Sequence, residues 1–218
     1  MVFDLDGTLV DSAPDLADSL DLLLVEQGRQ PLGLNVGRGL IGHGISNLVA
    51  RGLDRSGPKL EDPDLERIIR RFHEIYAGNL SRKTRAYPGV ERVLGEFRER
   101  GFRLAVCTNK LERYSRQILI DLQLAEHFDL VAGPDTFGIS KPDPRHLLLT
   151  IESVKGKGKP ALMIGDSEVD ITMAKAAALP VIAVSYGYAK VPIADLKPDV
   201  IVDSFAELQI QVGRLLSG

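Results

Sequence analysis

Asp4 and Asp6 stand one residue apart where the apolar pair Val2-Phe3 gives way to Gly7, so both acids fall where a short buried strand ends. Three further strand ends carry polar groups. Leu104-Ala105-Val106-Cys107 runs into Thr108-Asn109-Lys110, and Phe137-Gly138-Ile139-Ser140 reads as a strand-to-loop passage before Lys141-Pro142. Ala161-Leu162-Met163-Ile164 leads into Gly165-Asp166-Ser167, with Asp170 four residues beyond Asp166. If that stretch opens a helix, the two acids share one of its faces. These are the parts of a phosphoryl-transfer site. A carboxylate can attack phosphorus and form an aspartyl-phosphate. A Mg²⁺ ion held by a few carboxylates offsets the substrate's charge. A lysine and a hydroxyl bind the other phosphoryl oxygens, and backbone N–H groups in a turn form an anion cradle. Two carboxylates about 4 Å apart repel by about 4 kcal/mol at an effective dielectric near 20. Acids clustered this densely therefore call for a divalent cation.

The elements that must position these groups fall into two blocks. From Ser12 to Gly28 the chain reads as a helix: Ser12 can cap it, Pro14 suits its first turn, and Asp15 and Asp18 suit its positive end. Leu16, Leu20, Leu23 and Leu24 supply its apolar stripe. A second helical stretch follows Gly44, and a third runs from about Pro63 to Leu80 with Leu65, Ile68, Ile69, Phe72 and Tyr76 on one face. No strand pattern occurs between Ala13 and Lys83. After Pro88, short apolar runs alternate with amphipathic helices, the pattern of a parallel sheet covered on both faces. The expected architecture is α/β: a Rossmann-like parallel-sheet core (residues 1–12 and 84–218) with an inserted all-helical cap (residues 13–83). The cap is expected above the C-terminal edge of the sheet, where open α/β sheets bind ligands. Its two connectors, near Ser12–Pro14 and Arg82–Pro88, would serve as hinges.

Composition narrows the function classes. The 218 residues are 44% hydrophobic and 26% charged, ordinary values for a globular protein. A formal net charge of −3 argues against nucleic acid as a partner. No apolar run is long enough to span a membrane, and no leader pattern opens the chain. Only Val2 and Phe3 separate Met1 from Asp4, so short a first strand that a few upstream residues are expected. Cys107 is the single cysteine, which rules out an internal disulfide and fits a reducing cytoplasm. A small phosphorylated metabolite is the expected partner, with the chain a monomer or a homodimer.

Asp4-Leu5-Asp6-Gly7-Thr8, Thr108-Asn109, Lys141-Pro142 and Gly165-Asp166-Ser167 with Asp170 resemble, in order, the four motifs of the haloacid-dehalogenase-like hydrolases. Each string alone is a modest signal; four in sequence on suitable elements are specific. Asp11-Ser12-Ala13-Pro14-Asp15-Leu16, Leu40-Ile41-Gly42-His43-Gly44, Val106-Cys107-Thr108-Asn109-Lys110 and Tyr186-Gly187-Tyr188 look most like the phosphoglycolate phosphatase branch. The resemblance implies a Mg²⁺-dependent phosphatase with Asp4 as nucleophile and metal ligand. It implies that Asp6 protonates the leaving alcohol and then activates water, its backbone carbonyl also ligating the metal. Asp166 would complete the protein ligands with support from Asp170. Thr108, Asn109 and Lys141 would hold the phosphoryl group, and Lys141 would orient Asp4. One departure is Ala178-Leu179-Pro180, where the family often has glycine after the alanine-rich helix.

Other features have plainer readings. Gly37-Arg38-Gly39-Leu40-Ile41-Gly42 matches a dinucleotide fingerprint as a string, but it follows no strand and lies in the helical block. It reads better as a flexible cap segment, where Arg38 or His43 could meet a substrate carboxylate. Cys107 reads as a buried strand residue, and the clusters Arg67-Arg70-Arg71 and Lys155-Lys157-Lys159 read as solvated surface. Two rival functions share the same acids. A phosphosugar mutase would return the phosphate to substrate, although Thr8 and the Leu9-Val10-Asp11-Ser12 sequel look more phosphatase-like. A signalling receiver would keep a long-lived phospho-aspartate, but the chain's length and helical insertion argue against it.

Overall fold

The computed structural model describes residues 1–42, 44–58 and 64–216. Strands β1 (Val2–Phe3) and β2 (Val10–Asp11) lead into helices α1 (Ala13–Glu26), α2 (Gly33–Arg38), α3 (Ile45–Arg55) and α4 (Leu65–Ala77). After β3 (Arg85–Ala86) the order is α5 (Val90–Glu99), β4 (Ala105–Cys107), α6 (Glu112–Asp121), β5 (Leu130–Ala132), α7 (Pro134–Phe137) and α8 (Pro144–Ser153). It closes with β6 (Met163–Gly165), α9 (Glu168–Ala176), β7 (Val181–Val184), β8 (Val200–Val202) and α10 (Leu208–Leu216). The chain divides into two compact units, Met1–Asp11 with Ala86–Gly218, and Ser12–Arg85.

In the first unit six parallel strands form a sheet in the order β5-β4-β1-β6-β7-β8. The connections run outward from β1 on one side through β4 and β5, then cross to the other through β6, β7 and β8. The order thus reverses at β1, and in open α/β sheets that reversal opens a crevice at the carboxyl ends of the flanking strands. Alternation along β1 serves both faces of the sheet. Val2 packs with Leu147, Ile151, Met163, Met173 and Val181 beneath α8 and α9. Phe3 meets the rings of Phe128 and Phe205 at 6.1 and 6.0 Å. The strands are short because their job is to deliver buried backbone to the crevice: every residue of β1, β4, β6 and β7 is buried.

The second unit is helical. Helix α1 buries Leu16, Leu20, Leu23 and Leu24, and Ile68, Phe72 and Tyr76 are the buried face of α4. Gly52 lets α3 approach α1 closely, since a β-carbon there would lie 2.7 Å from Leu20 Cδ1. Asp15, fully buried, ties the unit's entrance to its exit by accepting the N–H groups of Lys83 and Thr84 and the Thr84 hydroxyl. Acid in a first helical turn is favoured by the helix dipole, but here the three donors explain why it is buried.

Several local expectations need correction. Ser12 precedes α1 without a side-chain capping bond. Gly37 and Arg38, expected at the start of a flexible segment, are instead the last two residues of helix α2. The passage before Lys141 is no strand, because Pro134–Phe137 makes a helical turn that ends at Gly138 in the left-handed region (φ 68°). The backbone at Ala178 keeps the geometry a glycine would serve. Its φ is 54°, and the Leu179 N–H bonds back to Ala174 O at 3.0 Å, closing a Schellman turn after α9. An L-residue there costs about 1–2 kcal/mol, partly offset by alanine's smaller unfolded-state entropy. The Ala178→Gly variant is expected to gain about 0.5–1 kcal/mol in urea denaturation; a loss of stability would show that the alanine is not strained.

Candidate active site

The carboxyl ends of β1, β4 and β6 bring the polar groups together. Asp4 follows β1 and is held in register by its N–H to Ile164 O at 2.9 Å. The chain then turns back through Gly7, whose φ of 87° suits glycine. A β-carbon on Gly7 would also lie 2.4 Å from Asp166 Oδ2. Gly165 and Gly187 are just as tight, each leaving no room for a β-carbon beside Asp170 and Asp166 respectively. Gly165 at the end of β6 and Gly7 and Gly187 in the loops after β1 and β7 thus let two acids enter the crevice. One carboxylate oxygen each from Asp4, Asp166 and Asp170 lies within 4.8 Å of the others, and all three residues are buried.

Lys141 lies among them. Its ammonium sits 2.7 Å from Asp4 Oδ1 and 2.7 Å from Asp170 Oδ1, and its side chain is 1% exposed. The loop that carries it is clasped by Asn109, whose amide accepts from Lys141 N at 2.8 Å and donates to Lys141 O at 3.1 Å. The Lys141-Pro142 bond is cis. Asp166 is held separately, accepting from Thr8 Oγ1 at 3.1 Å and from Tyr188 N at 2.6 Å. Three buried carboxylates face one ammonium, and the electrostatics follow. Burial first, then Asp170 and Asp6, push the Asp4 carboxyl up to about 7, with Lys141 pulling the other way. Burial first, then Asp4 and Asp170, raise Asp166 well above the ordinary carboxylate range. Lys141 is held above its usual value because Asp170 and Asp4 outweigh the cost of burying it.

The expected residues do not all converge in the expected way. Asp166 precedes the N-cap Ser167 and so lies off the helix, while Asp170 is the third helical residue and accepts from Ser167 N and Oγ. They meet through that turn and not through a shared helix face. The Asp6 carboxylate stands outside the three-acid group. It faces Lys110, whose Nζ lies 2.8 Å from both Asp6 oxygens. Thr108 is buried and accepts from Lys110 N at 3.2 Å. The side chain of Asn109 is engaged with the Lys141 main chain, so its amide braces the loop instead of facing the acids. Arg38 is half-buried in the helical unit, and His43 lies outside the described residues. Lys110, among the strand-end polar groups, and Thr8, in the first motif, were legible in the sequence but carried no assigned role there. The Gly187-Tyr188 backbone had only the Tyr186-Gly187-Tyr188 string as a hint. Cys107 is buried as expected, with its thiol pushed up to about 12 mainly by burial, which suits packing and not nucleophilic attack.

The donor set is entirely carboxylate oxygen, the chemistry that suits a hard divalent cation such as Mg²⁺. The raised carboxyls report the same need, because positive charge placed among them would lower each one. The residues therefore fit a metal.

A family model described as haloacid dehalogenase-like hydrolase matches residues 1–184, and the chain belongs to that family. Two curated relatives are each 39% identical. One is a phosphoglycolate phosphatase of Mesorhizobium japonicum, aligned over 99% of this chain and 95% of the relative. The other is a phosphoglycolate phosphatase of Agrobacterium fabrum, aligned over 95% and 89%. A crystal structure described as a predicted phosphoglycolate phosphatase from Haemophilus somnus superposes with a TM-score of 0.91. It is 32% identical, and the match covers 97% of this chain and 96% of that one.

The pH dependence of stability follows from Asp4. Its folded value near 7 exceeds the ordinary 3.8. The folded state therefore holds more protons between those values, and Asp4's contribution is full below 3.8 and lost as pH rises through about 7. Added Mg²⁺ is expected to raise the melting temperature more at about pH 8 than at about pH 5.5, because protons and metal compete for the same oxygens. Equal shifts at both pH values, read by differential scanning fluorimetry, would contradict this electrostatic account.

Proposed function

We propose that this haloacid dehalogenase-like hydrolase is a Mg²⁺-dependent phosphatase that cleaves a small phosphomonoester, 2-phosphoglycolate first among them. The observation that carries the reading is the placement of Asp4, Lys141, Asp166 and Asp170 at the one point where the strand order reverses. The printed names of the relatives supply the substrate.

In this reading an Asp4 carboxylate oxygen attacks phosphorus as the P–O bond to the alcohol breaks, and the departing oxygen takes a proton from Asp6. Asp6 then takes a proton from water, whose oxygen attacks the same phosphorus and releases Asp4 with inorganic phosphate. Asp4, Asp166, Asp170 and the Asp6 carbonyl would hold the metal, which supplies charge neutralisation of the phosphoryl oxygens. Lys141 orients Asp4 and, together with the Thr108 hydroxyl and the main chain at Asn109, receives the phosphoryl group. Residues 1–12 and 84–218 act as the catalytic core and residues 13–83 as a cap that limits water during the reaction. Arg38 or His43 of the cap is the proposed additional contact to the substrate, beside those made by the core. A soluble cytoplasmic enzyme, monomeric or dimeric, completes the reading; among the described residues no helix is long and apolar enough to cross a membrane.

A panel of small phosphate esters tests it. The wild type is expected to release phosphate from 2-phosphoglycolate with Mg²⁺ and without any bisphosphate activator, and to stop when chelator is added. Asp4→Asn is expected to lose at least about a thousandfold in kcat, the scale seen when a covalent nucleophile is removed. A variant retaining a large share of turnover would refute Asp4 as the nucleophile, and activity that needs a bisphosphate would favour a mutase.

A further inference from the structure

The Lys110–Asp6 pair is not explained by phosphoryl binding. Lys110 follows the Thr108-Asn109 strand end, its side chain is 4% exposed, and its ammonium is shared evenly between both Asp6 oxygens. The stem is fixed at its base. Lys110 N donates to Thr108 Oγ1, and Lys110 O packs so close to Gly133 that a β-carbon there would lie 2.6 Å away. A lysine placed so tightly against an acid can be a simple brace. The position of that acid makes it more than one.

Resting on the phosphatase reading, we infer that Lys110 is a specificity-determining residue that binds a carboxylate carried one carbon from the ester oxygen. The substrate class is then the 2-phosphoryloxy carboxylates, of which 2-phosphoglycolate is the smallest.

The argument is one of reach and charge. To protonate the leaving oxygen, Asp6 must come within about 3 Å of it. The Lys110 ammonium, 2.8 Å from Asp6, is then no more than about 6 Å from that oxygen. In a 2-phosphoryloxy carboxylate a carboxyl oxygen lies about 3 Å from the ester oxygen, from ordinary bond lengths. Lys110 can therefore hold the carboxylate while Asp6 holds the ester oxygen. When Asp6 turns to the substrate it gives up at least part of its contact with Lys110. A buried ammonium gains from each carboxylate at hydrogen-bond distance, and a substrate carboxylate within that reach takes up the contact that Asp6 gives up. An ester without one offers no such exchange. Selectivity is then set inside the catalytic core, by the residue that also steadies the acid–base group.

The test compares 2-phosphoglycolate with 2-hydroxyethyl phosphate, which has a hydroxyl in place of the carboxylate, in the wild type and in Lys110→Met. The wild type is expected to favour 2-phosphoglycolate in kcat/KM. Lys110→Met is expected to shrink that ratio on the order of a hundredfold, the scale of removing one partner of a buried charge pair, with the larger part in KM. Any loss common to both esters reports the hold on Asp6 and cancels in the ratio. A ratio unchanged by the substitution overturns the inference and leaves the phosphatase reading intact. So does a wild type that cleaves both esters equally well. A wild type inactive on every phosphate ester overturns both. Lys110→Gln, close in length and still a hydrogen-bond donor, is measured in the same way if circular dichroism shows that the methionine variant does not fold.

Discussion

A single ammonium, that of Lys141, lies 2.7 Å from each of two buried carboxylates. Almost every other feature of the first unit can be understood as making that arrangement possible. A buried charge is tolerated only with partners at hydrogen-bond distance. Removing one partner of such a pair costs about 3–5 kcal/mol where it has been measured, so the lysine and its acids must be delivered together. Yet the balance is incomplete by design. Asp166 adds a third carboxylate that Lys141 does not neutralise, and burial raises both Asp4 and Asp166. The surplus negative charge suits a bound cation, and a site that were already neutral would have no use for one.

The scaffold meets this demand with backbone geometry. Reversal of the strand order at β1 puts the ends of β4 and β6 on either side of Asp4. Gly7, Gly165 and Gly187 then remove the side chains that would keep Asp166 and Asp170 out. Asn109 spends its whole amide on fixing the Lys141 loop. Tyr186 and Tyr188 add an outer layer, donating from their hydroxyls to Thr8 O and Asp11 Oδ1, so that the loop after β7 is tied to the loop after β1 and to the end of β2. The positions of the acids are therefore over-determined, as a preorganised charged site requires.

Much of this was legible in the sequence. Acids and hydroxyls at the ends of buried apolar runs have few reasons to be there, which is why Asp4, Thr108, Asp166 and the parallel sheet could be read from pattern alone. The failures are equally physical. Lys110 follows Thr108-Asn109 in what reads as an ordinary turn, and nothing in the string says that its side chain folds back toward Asp6, 104 residues earlier. The resemblance implied that Asn109 holds phosphate, and an amide at a strand end offers the same donors whether it braces a loop, as its side chain does here, or a ligand. The turn Pro134–Phe137 is too short to leave a helical period in the sequence. Ala178 shows the reverse case: its departure from glycine was visible, but only the backbone reveals that the left-handed turn survives it.

The most direct examination of the central claim is a crystal structure grown with Mg²⁺ and beryllofluoride, a stable stand-in for a phosphoryl group on a carboxylate. The expected result is beryllium bonded to Asp4, one metal ion ligated by Asp4 and Asp166, and the Lys141 ammonium against a fluoride. A structure with the beryllium on another residue, or with metal bound away from these acids, would contradict it.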